Sequence, residues 1–198
     1  MKLIHTLILT LLLTACASLK STNEQPQTIP WPTRQAQAQS ITQWDIQGVI
    51  GIKSDKQNFS AHYYWIQQGD NYTISLYGPL GVGAIKLQGN QQTVILTNSD
   101  GKQYQASNPE QLMQENVGWS LPVSDLYYWI RALPSRNSAH HETFDIYNRL
   151  TSLDQEGWHI DYRQYQSTPS GDLPKKLSLK QSDIETNIVI QRWQLNPL

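Results

Sequence analysis

The sequence has 198 residues, enough for one domain with a real core plus a short extra segment. Its 15 basic and 16 acidic residues nearly cancel and form no basic run, so it lacks the electrostatic footprint of a nucleic-acid binder. Seven Trp and ten Tyr exclude a disordered chain, and the single Cys excludes an intrachain disulfide or a zinc knuckle.

The N-terminus bears on the compartment. Lys2 precedes an apolar stretch from Leu3 to Leu13, broken by His5, Thr6 and Thr10. The stretch is too short for a transmembrane helix and fits a secretory signal. It ends in Leu13-Thr14-Ala15-Cys16, which looks like a bacterial lipobox. Cys16 is then expected to receive a diacylglycerol and, after cleavage, to become an acylated N-terminus. A buried helix with an incidental Cys is the alternative, but position, length and spacing all favour the signal. Several acyl chains make a stable anchor where one is marginal. Ala17 and Ser18 follow, and neither is the Asp that retains enteric lipoproteins at the inner membrane, so the outer membrane is the expected destination.

The domains read as a cleaved signal over 1–15, a lipidated flexible tether over 16–30, and one domain over 31–198. The tether is polar with two prolines. Trp31-Pro32 opens a helix expected to run to about Ile41. From residue 43 the apolar period is two. Trp44, Ile46, Gly48, Ile50 and Ile52 share one strand face, and Phe59, Ala61, Tyr63 and Trp65 share the next. Runs at 72–76, 83–87, 93–97 and 102–106 follow, separated by short turns, which predicts an antiparallel meander.

The period then changes to 3.6. Either Ser107 with Glu110 or Asn108 with Gln111 offers a capping box for a helix that Gly118 ends. A second short helix is predicted from Ser124 to about Ala132, then a loop over 135–142. Four more strands are predicted at about 143–151, 157–165, 174–181 and 186–195. The fold class is mainly β: a half-open, curled antiparallel β-barrel of about ten or eleven strands, with two or three helices covering an apolar cavity.

Catalytic motifs are missing. The sequence holds no G-x-S-x-G, H-E-x-x-H or Walker loop, so neither an enzyme nor a cofactor is expected. His140-His141-Glu142 lies in a polar stretch with no further ligand run nearby, so no metal site is expected. Asp45, Asp70, Asp125, Asp145 and Asp161 have no spacing that pairs any two as catalytic carboxylates.

Two features are unusual. The turn around Pro79-Leu80-Gly81 puts a Leu where turns carry polar residues. Leu80 either folds back on the sheet or offers apolar area worth roughly 1.5–3 kcal/mol on burial elsewhere. The second feature is the crowd of Trp, Tyr, Leu and Ile between Gly118 and Pro134, which fits an ordinary core or a lid over an apolar cavity.

Taken in order, these segments resemble a known family. The lipobox, Trp44-x-x-x-Gly48, Tyr64-Trp65-Ile66-Gln67-Gln68, Pro79-Leu80-Gly81, Gly118-Trp119-x-Leu121-Pro122 and Leu126-x-x-Trp129-Ile130-x-x-Leu133-Pro134 are similar to the LolB family of outer-membrane lipoprotein receptors. Ala132 departs from it, standing where the family commonly has Gly.

The resemblance implies an outer-membrane-anchored receptor on the periplasmic face of a Gram-negative envelope. Its partners would be a LolA-like periplasmic carrier, acylated lipoprotein cargo and the inner leaflet of the outer membrane. It would be a monomer, anchored through Cys16, with Leu80 on a membrane-inserting turn flanked by Pro79 and Gly81. Strand parity and helical phase make Trp65, Ile85, Leu87, Trp119, Leu121, Trp129 and Ile130 the expected acyl-cavity lining, the last four on helices. The rivals are a structural envelope lipoprotein with a filled core and a glycan-acting envelope enzyme.

Overall fold

The computed structural model describes residues 28–55, 58–79, 83–136 and 138–195. Cys16, Leu80 and Gly81 lie outside these residues. Helix α1 (Trp31–Ser40) leads into β1 (Gln43–Lys53), β2 (Asn58–Gln68), β3 (Asn71–Tyr77), β4 (Ile85–Gly89), β5 (Val94–Thr97) and β6 (Gln103–Ala106). Helices α2 (Pro109–Val117) and α3 (Val123–Trp129) follow. The second run comprises β7 (His140–Phe144), β8 (Leu150–Gln155), β9 (Trp158–Thr168), β10 (Gly171–Gln181) and β11 (Ile184–Leu195).

The strands form one eleven-stranded sheet in the order β6-β5-β4-β3-β2-β1-β11-β10-β9-β8-β7. Every pairing is antiparallel, and β1 with β11 joins the two meanders. The sheet stays open, with β6 and β7 at its edges. Residues 107–136, which carry α2 and α3, lead from the β6 edge over the buried face toward β7.

The period-two pattern places the core. Trp44, Ile46, Ile50 and Ile52 are buried on β1, and Ile74, Leu76, Ile85 and Leu87 continue the same face on β3 and β4. Residues between them face out, as a sheet wet on one side requires. A flat sheet would hold β2 and β9 about 19 Å apart, four strand spacings. The single short helix α3 nevertheless borders a cavity with Trp65 of β2 and accepts a hydrogen bond from Tyr162 of β9. The sheet therefore curls around α3.

One predicted strand is corrected. The stretch 143–151 is not continuous: β7 ends at Phe144 and β8 begins at Leu150. Asp145 breaks it, its Oδ1 accepting from the N–H groups of Tyr147 and Arg149, with Asn148 left-handed at φ 57°. Burial opposes ionisation there, but the Arg149 and Tyr147 N–H groups and the Arg149 guanidinium hold the Asp145 carboxyl below its ordinary pKa. The predicted loop over 135–142 is also shorter, because His140-His141-Glu142 starts β7.

Helix α1 is fastened across two turns. Arg34 donates from Nε to the Tyr147 carbonyl and pairs with Asp172 at 3.2 Å.

Candidate functional site

The site is the space between the sheet and the α2–α3 block. Asn108 caps α2, its Oδ1 accepting from the Gln111 N–H at 2.7 Å. This settles the two capping alternatives, since Gln111 turns its own side chain to Glu115 and Glu110 is used elsewhere. Gly118 ends α2 in the left-handed conformation, φ 79°. Helix α3 has no side-chain cap of its own. Glu110 supplies one, its Oε1 accepting from the Ser124 N–H at 2.9 Å.

Val123, Leu126 and Trp129 form the buried stripe of α3, three residues apart. Opposite stand Ile50, Tyr63, Trp65, Ile74, Leu76 and Ile188. They enclose an apolar cavity of about 30 Å³, also lined by Leu121, Val123, Leu126 and Ile130. That is room for about one water. An acyl chain fits only if α3 moves away from the sheet.

Polar groups fix one end of the lid. Arg131 is 3% exposed and, among the described residues, donates to three main-chain carbonyls: Tyr127 at 3.0 Å, Ala38 at 3.2 Å and Ile41 at 2.7 Å. Its guanidinium lies 4.2 Å from the Tyr127 ring centre and 4.9 Å from that of Trp44. Burial pulls its pKa below the ordinary value. Tyr162 donates its hydroxyl to the Trp129 carbonyl at 3.0 Å, and burial pushes that phenol far above its ordinary pKa. Gln155 accepts from Trp129 Nε1 at 3.0 Å and from the Ser135 N–H at 2.7 Å. Ala132 follows in the left-handed region, φ 56°, where an L side chain costs about 1–2 kcal/mol.

Two basins flank the lid. One, of about 240 Å³, includes Asp70, Tyr72, Asn90, Tyr127, Tyr128 and Arg136 in its wall. Burial, with the nearby Glu110 charge, pushes the Tyr72 phenol up to about 12. The other, of about 390 Å³, is bounded by Ile52, Trp119, Ser120, Pro122, Trp158 and Ile184 together with Gln114, Gln181 and Asp183.

The expected lining residues fall into three groups. Trp65, Leu121 and Ile130 border the enclosed cavity. Trp119 borders the larger basin, half-buried, with its ring 4.9 Å from Phe59. Ile85, Leu87 and Trp129 are buried in the surrounding core. Three placements need correction. Trp119 and Leu121 lie on the link between α2 and α3, not on a helix, because Gly118 stops α2 and α3 begins only after Pro122. Ile130 sits just past the end of α3. Pro79 is exposed at the end of β3.

Residue-type reasoning missed Arg131, Gln155, Tyr162 and Glu110 as lid anchors. Arg131 did leave a signal: it is the one charged residue between Leu126 and Pro134.

Of the five aspartate candidates, Asp125 lies on α3, where burial raises its pKa and a hydrogen bond from Ser135 opposes the rise, and the other four are occupied elsewhere. Asp45 accepts from the Tyr64 hydroxyl, Asp70 from Gln91, and Asp145 and Asp161 pair with Arg149 and His159. Among the described residues no group of three or more His, Cys, Asp or Glu side chains is placed to hold a metal.

Comparison with known proteins agrees with this architecture. Among solved structures, a DUF1329 family protein from Desulfovibrio piger superposes with a TM-score of 0.53 at 6% identity, covering 85% of this chain and 94% of that one. A Vibrio parahaemolyticus domain assigned to outer membrane lipoprotein sorting gives 0.52 at 9% identity, covering 83% and 90%. At such identities the likeness shows the fold alone. In sequence, the outer-membrane lipoprotein LolB of Pseudomonas syringae pv. syringae is 37% identical over 195 residues, 96% of this chain and 95% of the relative. LolB of Pseudomonas putida is 39% identical over 164 residues, covering 83% and 80%. LolB of Coxiella burnetii is 37% identical over 187 residues, covering 93% and 89%. The family model described as outer membrane lipoprotein LolB matches residues 42–193, and the chain belongs to the LolB family.

Proposed function

We propose that this protein, as a LolB-family outer-membrane lipoprotein receptor and not an enzyme, takes acylated lipoproteins from a soluble LolA-like carrier and passes them to the inner leaflet of the outer membrane. The observation that carries the reading is the apolar stripe of helix α3 laid on an apolar sheet face, with buried polar ties concentrated at its C-terminal end. Acyl chains would take the place of the α3 contacts against Trp65, Leu121 and Ile130, with Ile85, Leu87, Trp119 and Trp129 as the surrounding wall. Cys16 would hold the domain at its target membrane.

Energetics sets the route. An acyl chain of about 15 methylenes gains on the order of 12 kcal/mol on leaving water. Free cargo in the periplasm is therefore not a usable intermediate. Transfer must run from apolar site to apolar site, with direction set by graded affinity and no nucleotide hydrolysis.

A second reading has one observation in its favour. The cavity of about 30 Å³ is also what a structural lipoprotein with a filled core would show. The two readings separate in one experiment. The mature chain, residues 16–198 with Cys16→Ala, is mixed with a LolA-like carrier loaded with one acylated lipoprotein, and the cargo is traced by pull-down. Cargo moving to this protein without ATP supports the receptor. Cargo staying on a verified carrier, with this protein shown folded, leaves the structural reading.

A further inference from the structure

We propose that the basin of about 390 Å³ beside the α2–α3 link is the port for acyl chains and the seat for the polar head of the acylated cysteine. This deepens the receptor reading and rests on it.

The two ends of α3 are held differently. At its C-terminal end, Arg131, Tyr162 and Gln155 make directional hydrogen bonds in buried surroundings. Pulling that end away would strand the buried Ile41 carbonyl and take one of two donors from the carbonyls of Ala38 and Trp129, which keep the N–H groups of Ile41 and Ala132. At its N-terminal end the polar tie is the exposed bond from Ser124 to Glu110. Apart from Asp125, which accepts a hydrogen bond from Ser135 within the same block, the remaining hold there comes from apolar contacts of Leu121, Val123 and Leu126, which are non-directional. An acyl chain offers those side chains equivalent apolar contact, so lifting this end is offset by the ligand. Helix α3 thus pivots at Arg131 and opens at Val123.

The link that must move forms the wall between two spaces. Trp119, Ser120 and Pro122 face the basin, whereas Leu121 and Val123 face the enclosed cavity. Lifting the link joins the spaces without disturbing the Arg131 anchor. The basin's chemistry also suits the head of the ligand. Ile52, Trp158 and Ile184 can take the first methylenes, while the Gln114 and Gln181 amides can donate to ester carbonyls and the Asp183 carboxylate can accept from an amide N–H. The smaller basin borders the cavity too, through Trp65 and Val123. Its wall takes in Val123 and Ser124 at the opening end of α3, but also Tyr127, the ring on which Arg131 is stacked, and it lacks Trp119, Ser120 and Pro122 of the link, so the link's movement opens the larger basin first.

Two double-cysteine variants of the mature chain, each with Cys16→Ala, test the assignment with palmitate as the probe. Ser120→Cys with Asp183→Cys spans the larger basin, and Asp70→Cys with Arg136→Cys spans the smaller. Each pair is bridged by a short bismaleimide. Palmitate uptake is compared before and after bridging by displacement of a hydrophobic dye. The expected result is uptake slowed at least about tenfold by the 120–183 bridge and less than about twofold by the 70–136 bridge. The reverse pattern moves the port to the smaller basin and overturns the proposal. Uptake indifferent to both bridges overturns it as well. If the unbridged, folded protein takes up no palmitate, the receptor reading itself fails, and the port with it.

Discussion

The guanidinium of Arg131 reaches the carbonyl oxygen of Ile41 at 2.7 Å, joining the end of the lid helix to the end of α1 across 90 residues of sequence. Replacing Arg131 with Met keeps much of the apolar stem and removes the donors. Two buried carbonyls, of Ala38 and Ile41, then lose a partner. The Ala38 carbonyl keeps the Ile41 N–H, so the Ile41 carbonyl is the one left unmet, and a loss of about 1–3 kcal/mol is expected in urea unfolding. Arg131→Lys should recover part of it, since one ammonium cannot reproduce the spread of a guanidinium. A Met variant as stable as the parent would show that these bonds do not anchor the lid.

The contrast between Arg131 and the strands around it shows what was legible in the sequence. Residues such as Ile46, Ile74 and Leu87 are readable because only one face of the sheet is buried, so period two survives in the chain. Strand β7 is different. His140 to Phe144 lies at an edge with none of its residues buried, so it carries no alternation, and Asp145 hides the break before β8. The apolar half of the site follows from parity and helical phase. Its polar half does not, because Arg131 with Ile41 and Gln155 with Trp129 are pairs made by tertiary folding, not by local spacing. The breaks at Gly118 and Pro122 were legible as helix-ending signals, and the placement of Trp119 and Leu121 on helices failed because it ignored those bounds in favour of apolar crowding.

The Trp44-x-x-x-Gly48 motif has a steric cause. Gly48 sits at a bulge in the pairing of β1 with β11, and a Cβ built there would lie 1.9 Å from the Val189 carbonyl oxygen. Gly48→Ala must push the joining strands apart, and about 3 kcal/mol of stability should be lost. For a domain of this size that is a fall of about 6–12 °C in Tm. Gly51→Ala on the same strand is the control, because a Cβ there meets nothing within 4 Å. Equal effects at the two sites would refute the steric account.

Ala132 sits at φ 56°, directly after the anchor. Glycine would relieve about 1–2 kcal/mol of backbone cost. It would also free the unfolded chain by roughly 0.4–1 kcal/mol. Ala132→Gly should therefore be stabilising by about 0.5–1 kcal/mol, read as a higher urea midpoint at unchanged slope. A destabilised variant would mean that the buried methyl group matters more than the strain.

His159 lies between two carboxylates on the outer face, 2.6 Å from Asp154 and 3.3 Å from Asp161. The hydrogen bond to Asp154 raises its pKa, burial opposes the rise, and the charges of Asp154 and Asp161 add to it. A raised histidine pKa stabilises the fold fully below the unfolded value of about 6.5 and loses that contribution as pH climbs through the folded value. His159→Asn should then lower Tm at about pH 5.5 and leave it nearly unchanged at about pH 8.5. The site is about half exposed, so the effect is small and weakens with added salt. An equal shift at both pH values would mean that packing, not charge, is what the histidine supplies.

Leu80 falls in sequence between β3 and β4, and the described residues Tyr77 and Pro79 before it are exposed. A leucine there would gain roughly 1.5–3 kcal/mol on reaching a lipid interior. A glutamate would lose that gain and add a charge that hydrocarbon rejects. Leu80→Glu should leave the protein folded and able to accept cargo from the carrier to within about twofold, while delivery to vesicles falls at least about tenfold, the ratio that 1.4 kcal/mol sets. Acceptance and delivery are read from one mixture of loaded carrier, receptor and vesicles, by pull-down and by flotation. Selective loss of delivery would place Leu80 at the step from receptor to membrane. Equal loss of both would place it instead in acyl binding or in the core.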